Sequence, residues 1–453
     1  MAFCGDLGVA WKGHVAILTT SPWRYRTGMA LKNRQPINSP PGTPTAGTPW
    51  AGLGILAVLV LAMIALASYL IFSNDQNPTQ SAAPGTTNGS ANTEPAPTVT
   101  GGTSQQIAGI PSSASRNTAR IAADDPVEVS LAALLAAHPI TGPGTPPVAV
   151  TIADSTQWQA AVAAASLSAD PIGAPLMLAP AGVLDESGRE VLAELSPEGA
   201  PVTRESQLFT IGTVSPPSGY RIGKVVGTDP AEVAAETARL RSRLAATPPG
   251  AILIASSEAE EFAPPAASWA ARSGDPVLFT SPDSVPRPTL EFLEEKANAK
   301  VPVFVLGSTE QVSAEVVKRL SKVSPQVERV SARTPVEMAL EMVRYSSGSF
   351  GWNLNDPGHG YMVARSDRPM DAIAATPLTT GGTWPAVLLT DDQSKPPEPL
   401  LEYLLDVKPG YTTDPTRALY NHIWIIGDEN LIDTDQQGLL DDAAELAKVE
   451  TTG

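Results

Sequence analysis

The sequence predicts an α/β fold in which three tandem open repeats, each with a parallel sheet, follow a single transmembrane helix and a disordered linker. Three observations support this prediction. A nearly identical helix start occurs at Asp125–Val129, Asp229–Val233 and Thr334–Met338, and its prolines lie 104 and 105 residues apart. Behind each start, short apolar runs alternate with helical stretches, which is the pattern of parallel strands covered on both faces. An uncharged run of 23 residues precedes all three starts.

The composition of the 453-residue chain excludes several classes of protein. The length exceeds that of a usual single domain, which agrees with an array of repeats. Lys and Arg number 30 against 47 for Asp and Glu, and the resulting net charge of −17 argues against a nucleic-acid partner. The one cysteine, Cys4, cannot form an intrachain disulfide or supply a cysteine-based zinc cluster.

The uncharged run, Trp50–Phe72, predicts a transmembrane helix. A helix of this length reaches roughly 34 Å, which is enough to cross the hydrocarbon of a bilayer. The leader before it, residues 1–49, has a net charge of +4, so we expect it to stay cytoplasmic while the rest of the chain, with a net charge of −21, lies outside. The predicted localisation is the cell membrane, with a single pass. A cleaved signal peptide is the alternative, and Met1 and Met29 both remain candidate start sites.

Residues 73–118 are predicted to be a disordered linker. They include no aromatic residue and are rich in Pro, Thr, Ser, Gly and Asn, so they cannot bury enough apolar surface to offset the entropy of the chain. As a flexible coil, such a segment spans roughly 35–40 Å on average. The linker is a tether, either as a stalk across a wall or as a plain spacer.

The three repeats are predicted at 119–218, 219–324 and 325–448. In each, the helix start is followed by an apolar strand, an Ala-rich helix, a strand that begins at a proline, a polar helix and a last strand that ends in glycine. We expect each Ala-rich helix to pack on a neighbouring repeat, because arrays of this kind are stabilised by their interfaces.

Several motifs resemble the cell wall binding repeat 2 family: Met370–Leu378 (MDAIAATPL), Asp283–Glu295 (DSVPRPTLEFLEE) and Val303–Val317 (VFVLGSTEQVSAEVV). The resemblance covers about 330 of the 453 residues. The family occurs in envelope proteins of Gram-positive bacteria, normally as three tandem repeats that hold an anionic secondary polymer of the wall. The resemblance therefore implies an extracytoplasmic protein whose partner is such a polymer. It also implies a binding role for the residues that match the family's Pro-Ile-Leu-Leu signature: Pro175, Leu176, Met177, Leu178, Pro276, Val277, Leu278, Phe279 and Pro385.

The same strands have a simpler interpretation, because a proline followed by four apolar residues is typical of a buried core strand. The residues that follow the strands are the other candidates for binding, since ligands of open parallel sheets lie outside the carboxyl ends of the strands. These candidates are Gly212, Thr213, Gly307, Ser308 and Gly427. The glycines are also explained as plain turn residues.

The sequence offers no motif for catalysis or for a metal. HExxH, GxSxG, P-loop and dinucleotide-binding patterns do not occur, and His138, His359 and His422 occupy non-equivalent positions of the repeats. We therefore predict no enzyme, no cofactor and no metal site. The segment Asp433–Gly438 resembles half a calcium loop, but Ala444 stands where a bidentate Glu is required, so acidic capping of the last helix is the better explanation.

A net negative charge is a poor match for an anionic polymer. Binding would need bridging cations or a local cluster of arginines, for which the candidates are Arg239, Arg241, Arg243, Arg344, Arg365 and Arg368. Another partner, such as a protein of the same envelope, would also resolve the mismatch. The predicted function is a non-catalytic, membrane-tethered protein that binds a wall polymer. An extracytoplasmic domain for a small ligand or a protein partner and a cell wall hydrolase are the alternatives.

Overall fold

The computed structural model describes residues 105–107, 110–139, 146–380 and 384–449. All of them belong to the unit Pro95–Gly453. The predicted leader 1–49, the predicted transmembrane helix 50–72 and the linker up to residue 104 lie outside the described residues. Within the described ranges, no helix has both the length and the apolar character that a bilayer crossing requires.

Strands and helices alternate along the described chain, as predicted. The α-helices are α1 (Pro126–Ala137), α2 (Trp158–Ala165), α3 (Glu186–Leu195), α4 (Pro230–Ala245), α5 (Pro264–Ser273), α6 (Arg287–Glu294), α7 (Ala314–Leu320), α8 (Pro335–Arg344), α9 (Pro369–Ala374), α10 (Glu398–Asp406) and α11 (Thr434–Ala444). The strands are β1 (Gln105–Ile107), β2 (Ile110–Ala114), β3 (Thr118–Ile121), β4 (Val150–Asp154), β5 (Leu176–Ala179), β6 (Leu208–Ile211), β7 (Ile222–Val225), β8 (Ile252–Ser256), β9 (Val277–Thr280), β10 (Val303–Leu306), β11 (Val327–Val330), β12 (Gly360–Arg365), β13 (Ala386–Thr390), β14 (Gly410–Tyr411), β15 (His422–Ile426) and β16 (Ala447–Lys448).

The three predicted helix starts are confirmed by their capping geometry. Asp125 accepts a hydrogen bond from the backbone N–H of Val127, and Asp229 and Thr334 accept one from the third residue of α4 and α8. A proline occupies the first helical position in each case, where its missing N–H costs nothing. The repeated motif therefore fixes where the long helix of each repeat begins.

The strands form three main sheets, which we number in chain order. Sheet 1 has the strand order β5-β4-β6-β7, sheet 2 has the order β9-β8-β10-β11, and sheet 3 has the order β13-β12-β15-β3-β2-β1. All neighbouring pairs are parallel except those made by β2. The prediction of one parallel sheet per repeat is confirmed.

Sheets 1 and 2 each take their fourth strand from the next segment of the chain, and sheet 3 takes its fourth strand from the first part of the described chain. The strand β7 follows the predicted end of the first repeat, yet it pairs with β6 in sheet 1, and β11 pairs in the same way with β10 in sheet 2. The fourth strand of sheet 3 is β3, which pairs with β15 from Thr118 opposite Ile423 to Ile121 opposite Ile426. The exchange of strands therefore closes into a ring, and the first and last parts of the described chain share one sheet.

Strands also occur in part of the segment that was predicted to be disordered. The strand β2 lies within residues 73–118 and pairs antiparallel with β3, and β1 pairs with β2 in turn. The polar composition of this stretch hides the strands, because they join sheet 3 through β3, whose other partner β15 is about 300 residues away in the sequence. The prediction of disorder is therefore wrong for this last part of the linker.

The Ala-rich helices α2, α5 and α9 contact one another between the three sheets. Their facing residues are small and buried, including Ala161, Ala267 and Ala372, which allows the helices to approach closely. Trp158 at the start of α2 packs edge-on against Phe279 of β9, with ring centroids 5.4 Å apart. The expectation that these helices pack on neighbouring repeats is confirmed, and one core cluster joins residues of all three sheets.

Candidate functional site

The proline-led strands are core elements and offer no surface to a ligand. Leu176, Met177 and Leu178 are fully buried in β5, and Val277, Leu278 and Phe279 are at most 1% exposed in β9. Their leading prolines, Pro175, Pro276 and Pro385, are buried as well. Their burial favours the interpretation as core strands over direct binding by these residues.

The residues predicted at the strand ends lie at equivalent places in the three sheets. In each sheet the strand order reverses between the two central strands, which are β4 and β6, β8 and β10, or β12 and β15. Such a reversal leaves a crevice beyond the carboxyl ends of the two strands, where open α/β sheets bind ligands. Gly212, Gly307 and Gly427 follow β6, β10 and β15, with φ values of 75°, 102° and 124° that favour glycine.

The crevice of sheet 3 is bridged by an arginine. Arg368, the N-cap residue of α9, donates a hydrogen bond to the carbonyl of Asp124 in the loop before α1 and another, 2.6 Å long, to the carboxylate of Asp371. Arg365, at the end of β12, pairs with Asp367 at 2.9 Å, and these hydrogen bonds hold the pKa of Asp367 below its usual value. The two predicted arginines therefore each pair with a carboxylate two or three residues further along the chain.

The crevice of sheet 2 has an additional turn at one side. A 3₁₀ turn, Glu260–Phe262, follows β8 and packs against β8 and α8, with the ring of Phe262 buried. Burial raises the pKa of Glu260, and neighbouring Glu261 adds to the effect. Ser308 donates its backbone N–H and its hydroxyl to the side-chain oxygen of Gln311, at 3.0 and 2.8 Å. The polar groups at this strand end are therefore already satisfied.

The crevice of sheet 1 is open and encloses about 280 Å³. It is lined by the loop after β4, the start of α2, the end of β6 and the loop before α4; the lining residues are Thr156, Gln157, Gln159, Ala160, Gly212, Thr213, Gly227, Thr228, Asp229, Pro230 and Val233. Gln157 occupies the N-cap position that Arg368 has in sheet 3, and its amide turns back to Asp154 at 3.3 Å. The side chain of Gln157 is shorter than that of Arg368. In addition, β4 leads into α2 without a 3₁₀ turn, and the crevice is therefore open.

Hydroxyl, amide and backbone groups dominate the lining of the sheet 1 crevice. Its one carboxylate, Asp229, accepts the backbone N–H of Glu232 at 2.9 Å, and neither Lys nor Arg is among the lining residues. Thr228 donates its N–H and its hydroxyl to Glu232, both at 2.7 Å, which holds this loop in place and lowers the pKa of Glu232. The volume is near the lower end of the range for small-molecule pockets, about 300–1,000 Å³. The crevice therefore suits one uncharged unit with hydroxyl or amide groups.

Of the six arginines predicted as candidates, five pair with carboxylates or are buried, and Arg243 is the exposed exception. Arg239 pairs with Glu236 and Glu295 at 2.7 and 2.5 Å, and Arg344 pairs with Asp406 at 2.7 Å. Arg241 is 6% exposed and buried beneath Gly274, and burial lowers its pKa. The positive charge of these residues is neutralised by nearby carboxylates or withdrawn from the surface.

A mixed-charge groove between α6 and α7 was not anticipated from the sequence. Its basic residues are Lys318, Arg319 and Lys322, but Asp283, Glu294 and Glu315 line the same groove of about 500 Å³. The signal that would have located it is the basic spacing KRLSK at the end of α7. The acidic residues beside these cations make the groove a weak candidate for an anionic ligand.

The acidic segment near the end of the chain is a helix cap. Asp433 is the N-cap residue of α11 and accepts the backbone N–H of Gln436 at 2.9 Å. The hydroxyl of Ser394 donates to the other carboxylate oxygen at 2.6 Å. The interpretation of this segment as acidic capping is confirmed.

Known proteins resemble this chain in part of its sequence and in its fold. Residues 224–317, which include β8, β9 and β10, match the model of the family described as Cell wall binding domain 2 (CWB2). No curated protein matches the chain. The solved structure of Cwp6 from Clostridium difficile is similar over 72% of this chain and 47% of that one, with a TM-score of 0.54 and 17% identity. That of Cwp8 from Clostridium difficile is similar over 72% and 52%, with a TM-score of 0.54 and 15% identity.

These similarities differ in what they show. At such identities the likeness to the two solved structures shows the fold alone, and the chain spans about half the length of each. The family match is specific in sequence and covers the segment of sheet 2 in which the quoted motifs were strongest. The resemblance predicted from the sequence is therefore confirmed: residues 224–317 match the cell wall binding domain 2 model, and the fold of the chain is similar to those of Cwp6 and Cwp8.

Proposed function

We propose that the protein is a non-catalytic, membrane-tethered extracytoplasmic protein that binds a cell wall polymer through its three α/β repeats. The observation that carries this proposal is the family match of residues 224–317 within a three-sheet fold that is similar to Cwp6 and Cwp8. The repeats are 119–218, 219–324 and 325–448, with sheets 1 and 2 completed by a strand of the following segment and sheet 3 completed by β3. The tether is the sequence Trp50–Phe72 with the linker after it, and it places the repeats outside the cell.

The sheet 1 crevice is the place at which a unit of the polymer binds. It is open, whereas Arg368 bridges the equivalent crevice of sheet 3. In sheet 2, the turn Glu260–Phe262 follows β8 and packs against it. Its hydroxyl and amide groups match the hydroxyl and acetamido groups of a sugar. Binding through such neutral hydrogen bonds needs no positive surface, which resolves the mismatch between a net charge of −17 and a wall polymer.

The non-catalytic part of the proposal rests on where the histidines lie. His359 pairs with the exposed carboxylate of Asp356 at 3.0 Å, and His422 lies on β15 with its ring edge-on to Trp424. Neither lines the sheet 1 crevice. A hydrolase would need a general base beside the bound polymer, and this crevice offers only Asp229, which is already engaged in capping α4.

The experiment that tests the proposal is retention of the purified full-length protein on isolated cell walls. The variant Gln157→Arg places in sheet 1 the side chain that bridges sheet 3, so we expect it to fill the crevice and weaken retention at least about tenfold, the equivalent of one or two hydrogen bonds. Gln326→Arg is the matched control. It adds the same charge at an exposed position before β11, which is an edge strand of sheet 2.

Four outcomes would overturn parts of the proposal. Equal retention of Gln157→Arg and unmodified protein would remove the crevice from the binding surface. Failure of the unmodified protein to bind walls at low salt, with or without calcium, would remove the wall polymer as the partner and favour an envelope protein. Binding of free monosaccharides in the crevice without retention on walls would favour a domain for a small ligand. Release of soluble fragments from the walls would identify a hydrolase.

A further inference from the structure

We propose that Trp384 and Arg272 form a second contact site, which binds a negatively charged sugar unit. The site lies where Trp384 precedes β13 and where Arg272 occupies the last turn of α5. It rests on the proposed function, since the sugar unit would belong to the same wall polymer. It differs from the sheet 1 crevice in chemistry, because it presents an aromatic ring and a cation.

Trp384 is more exposed than is favourable for such a large apolar side chain. Half of its surface is accessible, whereas Trp158, Trp269, Trp352 and Trp424 are buried or half-buried, so it is the most exposed tryptophan in the described part of the chain. Burying a large apolar side chain contributes roughly 1.5–3 kcal/mol to folding. Because Trp384 is half exposed, the fold gains only part of that contribution at this position.

The backbone of Trp384 is also unfavourable. Its φ is 44°, in the left-handed region that a bulky residue rarely adopts and that costs on the order of 1–3 kcal/mol. A residue that is both strained and exposed stabilises the folded chain little. Binding is a reason to keep an indole ring in this position.

Arg272 supplies an unpaired cation beside the ring. Its guanidinium carbon lies 4.8 Å from the centroid of the Trp384 ring, within the range of a cation–π contact. Arg239, Arg344, Arg365 and Arg368 all pair with carboxylates, but for Arg272 no ion pair with a described residue is found. The cation–π contact holds the guanidinium in place and leaves its N–H groups available to an anion.

The two side chains together define the chemistry of the ligand. The face of an indole ring is electron-rich and attracts the C–H groups on one face of a pyranose ring. A planar guanidinium binds a phosphate or carboxylate through two parallel hydrogen bonds. A sugar that carries such a group is therefore the unit that matches both, and the wall polymer would be held by a charged unit here and by a neutral unit in sheet 1.

The test uses full-length protein, isolated walls and two concentrations of salt. We expect Trp384→Ala and Arg272→Gln each to weaken retention five- to tenfold at low salt, and Trp384→Phe to keep most of it. Contacts through an exposed cation are screened by salt, so Arg272→Gln should lose the salt-dependent part of binding, whereas Gln157→Arg should lose the part that persists at high salt. Arg319→Gln is the matched control, because it removes an exposed cation from the mixed-charge groove.

A direct measurement identifies the ligand class. In protein labelled with 5-fluorotryptophan, the resonance of Trp384 is assigned as the one absent from Trp384→Phe, and N-acetylglucosamine 1-phosphate should shift it more than N-acetylglucosamine. Unchanged retention of Trp384→Ala and Arg272→Gln, while the unmodified protein binds walls, would refute the second site alone. An equal loss in Arg319→Gln would refute it also, by showing a general effect of charge. If unmodified protein is not retained, the proposed function itself is wrong.

Discussion

Replacing Arg120 should weaken the joint between the first and last parts of the described chain. Arg120 lies on β3 and is 1% exposed. One terminal nitrogen of its guanidinium donates to the carbonyls of Gly427 and Asp428 at 2.8 and 3.0 Å, and the other two nitrogens donate to Gln437 at 2.9 and 3.1 Å. The change Arg120→Met keeps the length of the side chain and removes all four hydrogen bonds.

The expected cost follows from these contacts. A hydrogen bond from a charged group contributes about 1.5–3 kcal/mol, and an acceptor left buried without a donor costs about 1–3 kcal/mol. Water can reach the partly exposed side chain of Gln437, so the cost is concentrated at the two carbonyls. We expect Arg120→Met to lower the free energy of unfolding by about 3–5 kcal/mol, which is the sum for two hydrogen bonds from a charged group to the two carbonyls.

The ring of sheets provides matched controls at the same strand position. Arg329 on β11 donates three hydrogen bonds of 2.7 Å to the carbonyls of Gly307, Ser308 and Val312, but it is only half-buried. Arg329→Met should therefore cost less, about 2–3 kcal/mol. Lys224 has the equivalent position on β7 and is exposed, so Lys224→Met should change stability by no more than about 0.5 kcal/mol.

Urea unfolding followed by circular dichroism measures this order. We expect the midpoint to fall most for Arg120→Met, less for Arg329→Met and hardly at all for Lys224→Met. A loss for Arg120→Met as small as that for Lys224→Met would refute the reasoning, because it would mean that β3 is not held in sheet 3 by this network.

Two further predictions concern the ring and its pH dependence. Deleting residues 325–449 removes β11 from sheet 2 and leaves β3 without β15, so the remaining repeats should melt far below the complete chain; equal melting temperatures would show independent repeats. Burial lowers the pKa of His422, partly opposed by Asp441, so the folded state favours the neutral ring. As the pH falls below about 6.5, the unfolded chain takes up this proton first and stability should decrease. His422→Asn should show a smaller decrease in unfolding free energy between pH 7 and 5.5, and an unchanged decrease would contradict this assignment.

Much of the fold follows from local signals in the sequence. The Asp-Pro and Thr-Pro helix starts and the buried runs such as VFVL and LMLA specify their own secondary structure. The fourth strand of each sheet has no such signal, because β7 (IGKV) and β11 (VERV) are short and half exposed. Their pairing depends on contacts with other segments, which a local pattern does not record.

The candidate site was predictable in position but not in detail. The strand-end glycines marked the three crevices, because strand order and turn geometry require them there. The difference between the open crevice of sheet 1 and the bridged crevice of sheet 3 depends on whether Gln157 or Arg368 occupies the N-cap position. The sequence also did not predict that the charges of the arginines are neutralised, because Arg344 meets Asp406 only through the packing of α8 on α10.

The closure of the ring by β3 has a consequence for the order in which the chain folds. Arg120 and its acceptor Gly427 are 307 residues apart, so β3 leaves the ribosome long before β15. Sheet 1 can form once β7 has emerged, and sheet 2 once β11 has emerged, but sheet 3 must wait for nearly the whole chain. Long-range pairing of this kind is slow and leaves an unpaired strand edge in the meantime. The polar and small residues of β3 and the stretch before it, IPSSASRNTARI, therefore keep the waiting strand soluble until its partner arrives.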